Sequence, residues 1–343
     1  MHPSKSKFFK EIYTDNEKRV VNQRLLENDF VQWEKNQAKK SQENALQETF
    51  ISKARTGPLV FILGVPRSGT TLLTQLILNS FDLGAFYNSV AKYYAVPLYG
   101  LRKQLSERST ISTKTSYHSK LGHAAESFAL HEFRYFWQYW LNHEGHDELN
   151  RDQKSHVNWE GLRNKINAYH AMLGKGLLIK SLVFNDFIVK ELSELFPDAK
   201  FIHMSREAEF VSQSLLESRV NQYNDIHYWW SIKPRNWQKW QSLDTLSQVM
   251  HQTVYTDFKI QEQISRIEKI NAMHISYEEL VEDVPRAMLK LATFLNIDMQ
   301  EIEEIKLIKN ANLWRLDTFS IDEAIETKKE VKTKVIQKLN SDD

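Results

Sequence analysis

Three basic residues stand where alternating strands and helices could bring them together. Arg67 lies in a glycine-containing turn after an apolar run, Lys180 ends a second apolar run, and Arg206 follows a third. Positive charges that converge are costly unless an anion pairs with them. The chemistry that these residues could support is the binding of phosphate-type anions and the stabilisation of negative charge on a leaving oxygen.

The element that must position Arg67 is a strand followed by a turn and a helix. Residues 58–77 predict this order, because apolar residues follow a proline, glycines and Pro66 interrupt them, and leucine spacing from Leu72 onward is helical. The start of a helix offers free N–H donors to an anion in the turn. Nucleotide-triphosphate loops carry a lysine where this chain has Thr70, so we expect a phosphate-type anion without the ATP–Mg²⁺ arrangement. A plain tight turn is the alternative.

Two further strand–helix pairs position the other two cations. The strands are predicted at 176–180 and 200–204, and the helices at 184–196 and 207–219. This alternation predicts an α/β fold of the P-loop type, with three α/β/α layers around a central parallel sheet and helical N- and C-terminal extensions. Ligands of such sheets bind at the carboxyl ends of the strands, where Arg67, Lys180 and Arg206 lie.

The rest of the chain is assigned from its pattern. We divide it into a helical N-terminal extension that packs on the core (1–55), a main domain (56–317) and a charged helical tail (318–343). The Glu/Lys spacing in the tail predicts a solvated or interfacial helix. Within the main domain, 81–101 is predicted as loop with short helical pieces and 101–120 as a mobile surface segment or lid.

Composition excludes several classes of function. The formal net charge of +1 argues against a protein that coats nucleic acid, and the lack of cysteine excludes disulfides and thiolate chemistry. No apolar run approaches the roughly eighteen residues that a membrane span needs, and no apolar run follows the N-terminus. We expect a soluble, cytoplasmic protein, and the pattern leaves its oligomeric state open.

A helix predicted over Leu121–Leu141 carries the candidate general bases. Glu132 falls inside its aromatic stripe, Glu126 borders the stripe, and His123 lies one turn earlier. A carboxylate against aromatic surface can have a raised pKa and accept a proton near neutrality. The alternative is a helix cap or a core ion pair with Arg134. The histidines nearby lack the spacing of a zinc site, so no metal is expected.

Three motifs, in order along the chain, resemble those of sulfotransferases. The loop from Gly64 to Thr71 is similar to the family's 5′-phosphosulfate loop, closest to the Pro-Arg-Ser-Gly-Thr-Thr form of tyrosylprotein and many bacterial sulfotransferases. Arg206 followed by Ser214 resembles the 3′-phosphate motif. The segment 275–280, with the helix after it, resembles the family's Tyr-Glu-Asp-Leu segment. The resemblance covers roughly residues 58–316.

The resemblance implies a donor and roles for particular residues. The donor is 3′-phosphoadenosine 5′-phosphosulfate (PAPS), the product is 3′-phosphoadenosine 5′-phosphate (PAP), and the sulfuryl group moves without a metal to a hydroxyl or amine of a carbohydrate, small metabolite or peptide tyrosine. Arg67 and Lys180 would stabilise the bridging oxygen. The other residues implied to bind the donor are Pro66, Ser68, Gly69, Thr70, Thr71 and Leu72 in the loop, then Arg206, Ser214, Tyr277 and Arg315. For Arg315, the alternative is a surface arginine stacked on its tryptophan neighbour.

The sequence departs from the family at the catalytic base. Leu182 stands where cytosolic sulfotransferases have a histidine, and Asp82 is the sole carboxylate where tyrosylprotein sulfotransferases have a glutamate. The base is therefore expected from the predicted helix, in the order Glu126, His123, Glu132. A catalytically silent PAPS-binding protein and a P-loop phosphotransferase are the alternatives.

The aromatic-rich segment at 221–240 has two possible roles, binding of the acceptor and packing of the core. Its aromatic faces beside cations suit an acceptor such as a sugar or tyrosine, and core packing explains most tryptophans in ordinary domains. A helix predicted over Trp237–Ile270 would carry this run.

Overall fold

The carboxyl ends of the strands form the edge at which the predicted cations should meet. The structure, a computed structural model, describes residues 34–107, 130–143, 145–299 and 312–339. Five strands form one sheet in the order β2-β3-β1-β4-β5. They are β1 (Leu59–Leu63), β2 (Leu83–Ala85), β3 (Gly176–Lys180), β4 (Lys200–Ser205) and β5 (Ala272–Ser276). The predicted central parallel sheet is confirmed, and β3 and β4 lie on either side of β1.

Helices connect these strands and extend the chain beyond them. Those described are α1 (Lys40–Phe50), α2 (Thr70–Ser80), α3 (Asn88–Ala91), α4 (Pro97–Glu107), α5 (Arg134–Leu141), α6 (Arg151–Ser155), α7 (Trp159–Leu173), α8 (Leu182–Asn185), α9 (Val189–Leu195), α10 (Ala208–Tyr223), α11 (Trp237–Trp240), α12 (Thr245–Ile264), α13 (Tyr277–Glu282), α14 (Val284–Leu295) and α15 (Ile321–Leu339). Among the described residues, no helix combines the length and apolar character needed to cross a bilayer.

Burial explains why the strands nearest the site were predictable. Every residue of β1 is buried, as expected for a central parallel strand that is covered on both faces. Strands β4 and β5 run parallel and end in register, with Ser205 opposite Ser276. The residues that follow, Arg206 and Tyr277, therefore leave the sheet side by side.

Several predicted elements were wrong in extent. The segment predicted as loop contains strand β2, which pairs with β3, and the helix α4 continues to Glu107. The helix predicted over 184–196 is two short helices, α8 and α9. The helix predicted over Trp237–Ile270 is also divided, because Asp244 accepts a hydrogen bond from the N–H of Ser247 and starts α12 as a separate helix.

The helix predicted over Leu121–Leu141 is confirmed from Arg134 onward and was wrong at residues 130–133. Residues 121–129 lie outside the described residues, and Leu130 pairs with Tyr87 in an isolated antiparallel bridge. Helix α5 begins only at Arg134, after Phe133 with φ of 56°. A left-handed residue cannot continue a right-handed helix. The aromatic periodicity arises instead from packing, since the rings of Phe133 and Phe136 stack 5.0 Å apart.

The chain divides into two compact units. One comprises the described parts of Met1–Val60, Asp82–Gly145 and Leu149–Ile179, and the other those of Phe61–Phe81, His146–Glu148 and Lys180–Asp343. In the first unit, the ring of Phe86 contacts those of Phe133, Phe136 and Tyr169. This aromatic cluster forms part of the unit's core.

The second unit includes the C-terminal helix. Ala324, Val331 and Val335 of α15 are buried in a cluster with Met250 and Val254 of α12. The solvated face predicted from the Glu/Lys pairs is therefore only one side of this helix, and the other side completes a core.

A buried histidine of the first unit gives a pH-dependent stability. The ring of His170 is 1% exposed, its Nε2 lies 3.0 Å from the carbonyl oxygen of Thr56, and burial lowers its pKa to about 4. Between about pH 6.5 and 4 the unfolded chain binds the proton that the folded chain excludes, so the free energy of unfolding should fall by up to about 3 kcal/mol as the pH falls. Urea denaturation across this range measures it. His170→Gln should flatten the dependence, and an unchanged slope in the variant would contradict the assignment.

Candidate active site

The turn after β1 has a backbone that two glycines make possible. Gly64 and Gly69 have φ of 149° and 96°, and Gly69 immediately precedes α2. A Cβ at Gly64 would lie 2.4 Å from the carbonyl oxygen of Met204, and one at Gly69 would lie 2.6 Å from a ring carbon of Tyr277. Both contacts are too short for any other residue without displacement. The turn therefore brings its backbone close to the ends of β4 and β5.

The turn is anchored at one end and offers donors at the other. A carboxylate oxygen of Asp186, which is fully buried, accepts the N–H of Gly64 at 3.2 Å. At the helix start, the hydroxyl of Ser68 is buried and has no hydrogen-bond partner among the described residues. Buried hydroxyls normally have partners. An anion held at the start of α2, where amides and a positive helix end face it, would supply one.

Arg67 connects the two halves of the predicted donor site. It has φ of 79°, and its Nε donates to the hydroxyl of Ser214 on α10 at 2.9 Å. Its backbone carbonyl accepts from Nη1 of Arg206 at 3.3 Å. The loop residue predicted to face the 5′-phosphosulfate thus reaches the serine predicted to hold the 3′-phosphate, and the structure brings Arg67, Arg206 and Ser214 together.

The electrostatics of this group favour an anionic ligand. Burial is the main cause that lowers the pKa of Arg67, and the charges of Arg206 and Arg315 lower it further. Burial likewise lowers the pKa of Arg206, with Arg315 contributing in the same direction. Neighbouring guanidinium groups therefore disfavour the charged forms of Arg67 and Arg206. A phosphate among them would remove that repulsion.

Arg206 and Arg315 are each held by neighbouring side chains. The guanidinium carbon of Arg206 lies 4.5 Å from the ring centre of Tyr277, and its Nε donates to Asn312 at 2.7 Å. Arg315 makes two hydrogen bonds to the carboxylate of Glu217, at 2.9 and 3.0 Å, which raises its pKa. The sequence offered two roles for Arg315, a contact with the 3′-phosphate and stacking on its tryptophan neighbour. Its side-chain hydrogen bonds to Glu217 are instead with a carboxylate of α10.

Lys180 lies at the position predicted for it, at the carboxyl end of β3. Because β3 and β4 flank β1, Lys180 and Arg206 leave the sheet on either side of the loop that carries Arg67. Lys180 is half-buried, and Leu182, two residues later, is 3% exposed and is a core residue.

Of the three candidate general bases, the structure describes only Glu132. Glu126 and His123 lie outside the described residues. Glu132 is half-buried, and it precedes α5 rather than lying within a helix. Their assignment therefore stays a prediction from the sequence.

The contacts in the aromatic-rich run support packing for its tryptophans. Trp229 is 6% exposed, its ring lies 5.5 Å from that of Trp237 and 6.3 Å from that of Trp240, and its Nε1 donates to Ile232. Beneath it, the fully buried guanidinium of Arg219 lies 5.2 Å from the ring centre, and burial lowers its pKa to about 10.

Sequence reasoning missed the residues that support the arginines. Asn312, Glu278, Gln213 and Glu217 hydrogen-bond to Arg206, to Arg315 or to their neighbours. Polar residues of these types are common on any surface, and their partners are distant in sequence. The one available signal was that Glu278 belongs to a recognised motif.

A comparison with protein families matches most of the chain. The model of the sulfotransferase family matches residues 58–301, which covers the loop, the strands that carry Lys180 and Arg206, and the segment with Tyr277. No curated protein matches the chain.

Solved structures of other sulfotransferases are similar to this chain. Sulfotransferase STF9 from Mycobacterium avium is 15% identical with a TM-score of 0.51, and the match covers 86% of this chain and 76% of that one. STF1 from Mycobacterium tuberculosis is 13% identical with a TM-score of 0.47, over 83% and 75% of the two chains. At 15% identity, the likeness to STF9 concerns the fold alone.

Proposed function

Because the chain belongs to the sulfotransferase family, we propose that it transfers the sulfuryl group of PAPS to a hydroxyl or amine of a small metabolite, a carbohydrate or a peptide tyrosine. The observation that carries the choice of donor is the pair of contacts that joins Arg67 to Ser214 and Arg206 to the loop backbone. A donor with a phosphate at each end of its nucleoside fits two linked anion sites, whereas ATP presents its phosphates at one end.

The donor would be held at three places. The amides and hydroxyls of the loop, from Ser68 to Leu72, would bind the 5′-phosphate at the start of α2. Arg206 and Ser214 would bind the 3′-phosphate, with Arg67 between the two ends and Arg315 as an additional cation. Tyr277, whose ring carries Arg206 on one face, would lie near the adenine.

Lys180, together with Arg67, is proposed to act on the reacting atoms. In the transfer, the acceptor oxygen or nitrogen forms a bond to sulfur, the bond from sulfur to the bridging oxygen breaks, and PAP leaves with the added negative charge. A loose in-line transition state of this kind is accelerated mainly by positioning and by stabilisation of that charge. A lysine beside the bridging oxygen supplies the stabilisation, and Glu126 or His123 is proposed to accept the acceptor's proton.

A labelled-donor assay tests the function. PAPS carrying ³⁵S in the transferred group is incubated with the protein and a mixed metabolite and glycan extract, and new labelled products are separated. We expect acceptor-dependent loss of label from the donor. Donor binding without any transfer across a broad panel of acceptors would favour the catalytically silent alternative.

The coupling of Arg67 to Ser214 makes a second prediction. Arg67→Ala should weaken PAP binding about 10- to 100-fold, since hydrogen bonds to charged groups contribute about 1.5–3 kcal/mol. Because Ser214 hydrogen-bonds the same side chain at 2.9 Å, Ser214→Ala should have a smaller effect in the Arg67→Ala background than in the wild type. Calorimetric titration of the four proteins measures the coupling, expected at about 0.5–3 kcal/mol. If the two losses of binding free energy simply add in the double variant, Arg67 and Ser214 act independently on the ligand, which would contradict the prediction.

A further inference from the structure

The guanidinium of Arg206 is held from several directions. Its Nε donates to Oδ1 of Asn312 at 2.7 Å, its Nη1 donates to the carbonyl of Arg67 at 3.3 Å, and its central carbon lies 4.5 Å from the ring centre of Tyr277. A free arginine side chain loses rotamer freedom when it is fixed. A guanidinium fixed before the ligand arrives avoids that loss on binding.

Asn312 is in turn fixed by a carboxylate. Its Nδ2 donates to Oε1 of Glu278 at 2.7 Å, and the same oxygen accepts the backbone N–H of Glu207 at 3.2 Å. Glu207 directly follows Arg206. The carboxylate of Glu278 therefore holds both the backbone beside Arg206 and the amide that orients its side chain.

The side-chain amide of Asn312 lies between the carboxylate of Glu278 and the guanidinium of Arg206. A carboxylate in direct bidentate contact with Arg206 would occupy the positions that a phosphate needs. The Asn312 amide passes on the orientation without adding charge. Glu278 still acts at a distance, because it raises the pKa of Arg206 against the lowering by burial.

The backbone beside Asn312 is tied to the helix that carries Ser214. The side chain of Gln213, which is fully buried, donates to the carbonyl of Leu313 at 2.9 Å and accepts the N–H of Arg315. The guanidinium of Arg315 pairs with Glu217 on the same helix. The segment that carries Asn312 is therefore fixed to α10 by hydrogen bonds of its own.

On the proposed function, in which Arg206 holds the 3′-phosphate, we propose that Asn312, supported by Glu278, is a positioning residue that sets the selectivity of the site for 3′-phosphorylated nucleotides. Asn312 acts through Arg206 by fixing its guanidinium before the donor binds. Its effect should therefore be confined to the 3′-phosphate and should not extend to the reacting atoms.

Comparison of two nucleotides isolates this role. Asn312→Ala should weaken the binding of PAP about tenfold, as expected for loss of a hydrogen bond to a charged group, and should leave the affinity for adenosine 5′-monophosphate within about twofold. The KM for PAPS should rise by the same factor with kcat at saturating donor unchanged. Asn312→Asp, which sets a second carboxylate between Glu278 and Arg206, should weaken PAP binding further.

Two further variants keep the test decisive. Asp317→Ala changes an exposed residue of the same segment and should alter neither affinity. Glu278→Ala leaves Asn312 in place without its anchor, and should reduce the ratio of PAP to adenosine monophosphate affinity in the same direction. It also serves if Asn312→Ala proves too unstable to titrate.

The outcomes separate this role from the proposed function. An equal loss of affinity for both nucleotides, or an unchanged affinity for PAP, would overturn the positioning role of Asn312. A wild-type protein that binds PAP no better than adenosine 5′-monophosphate would instead overturn the proposed donor site, and this result is obtained before any variant is made.

Discussion

Lys180→Ala is expected to lower kcat by roughly 10²- to 10³-fold, the range typical for loss of one group that stabilises developing negative charge. Lys180 ends β3 on one side of the loop, and Arg206 follows β4 on the other side. Because the proposed role of Lys180 concerns the bridging oxygen in the transition state, the affinity for PAP should change by less than about threefold. Single-turnover transfer of labelled sulfuryl group and titration with PAP measure the two effects.

Matched variants distinguish charge from position at Lys180. Lys180→Arg keeps the charge with a different geometry and should recover part of the rate. Lys190→Ala removes an exposed lysine of α9 that pairs with Glu194 at 3.8 Å and should leave kcat unchanged. A Lys180→Ala protein that loses PAP affinity and kcat in equal measure would identify Lys180 as a binding residue instead.

The second large effect concerns stability. Glu43 of α1 is buried in the first unit, where it accepts a hydrogen bond from Lys165 at 2.7 Å and two from the N–H groups of Leu98 and Tyr99 at the start of α4. Glu43→Ala would leave a buried lysine without its counter-ion and two amides without their acceptor. The free energy of unfolding should fall by about 3–5 kcal/mol. Urea denaturation monitored by circular dichroism measures it.

The controls for Glu43 test the cause of that loss. Glu48→Ala removes an exposed carboxylate from the same helix and should change stability by no more than about 0.5 kcal/mol. The pair Glu43→Leu with Lys165→Met removes both charges together and should recover the part of the loss that comes from the unpaired lysine, because apolar residues often replace a buried ion pair at little cost. The part that comes from the amides of Leu98 and Tyr99 should remain. A double variant as unstable as the single one would show that the charge imbalance is not the cause.

The sequence predicted the elements that depend on local pattern. Strand β1 is a continuous apolar run because it is buried on both faces, and Gly64 and Gly69 mark the turn because no side chain fits there. The convergence of Arg67 and Arg206 followed from strand alternation alone, since parallel strands place their carboxyl ends at one edge.

The remaining parts depend on contacts that no local pattern carries. Phe133 belongs to a helical stripe in the sequence, yet with φ of 56° it lies before the helix, which begins at Arg134, and its ring packs against Phe86. The bond from Arg67 to Ser214 likewise depends on the loop conformation. From the sequence we would expect Arg67→Ala to reduce turnover more than donor affinity, whereas this contact leads us to expect a substantial loss of affinity as well.

The identity of the donor is tested by comparing the binding of three nucleotides. The wild-type protein is titrated calorimetrically with PAP, adenosine 5′-monophosphate and ATP–Mg²⁺. These ligands carry a phosphate at both the 3′ and 5′ positions, a single 5′-phosphate, and a 5′-triphosphate. We predict that PAP binds most tightly, by about 10-fold or more over adenosine monophosphate, since a charged hydrogen bond is worth about 1.5–3 kcal/mol. Tighter binding of ATP–Mg²⁺ than of PAP would contradict the assignment of Arg206 and Ser214 to a 3′-phosphate.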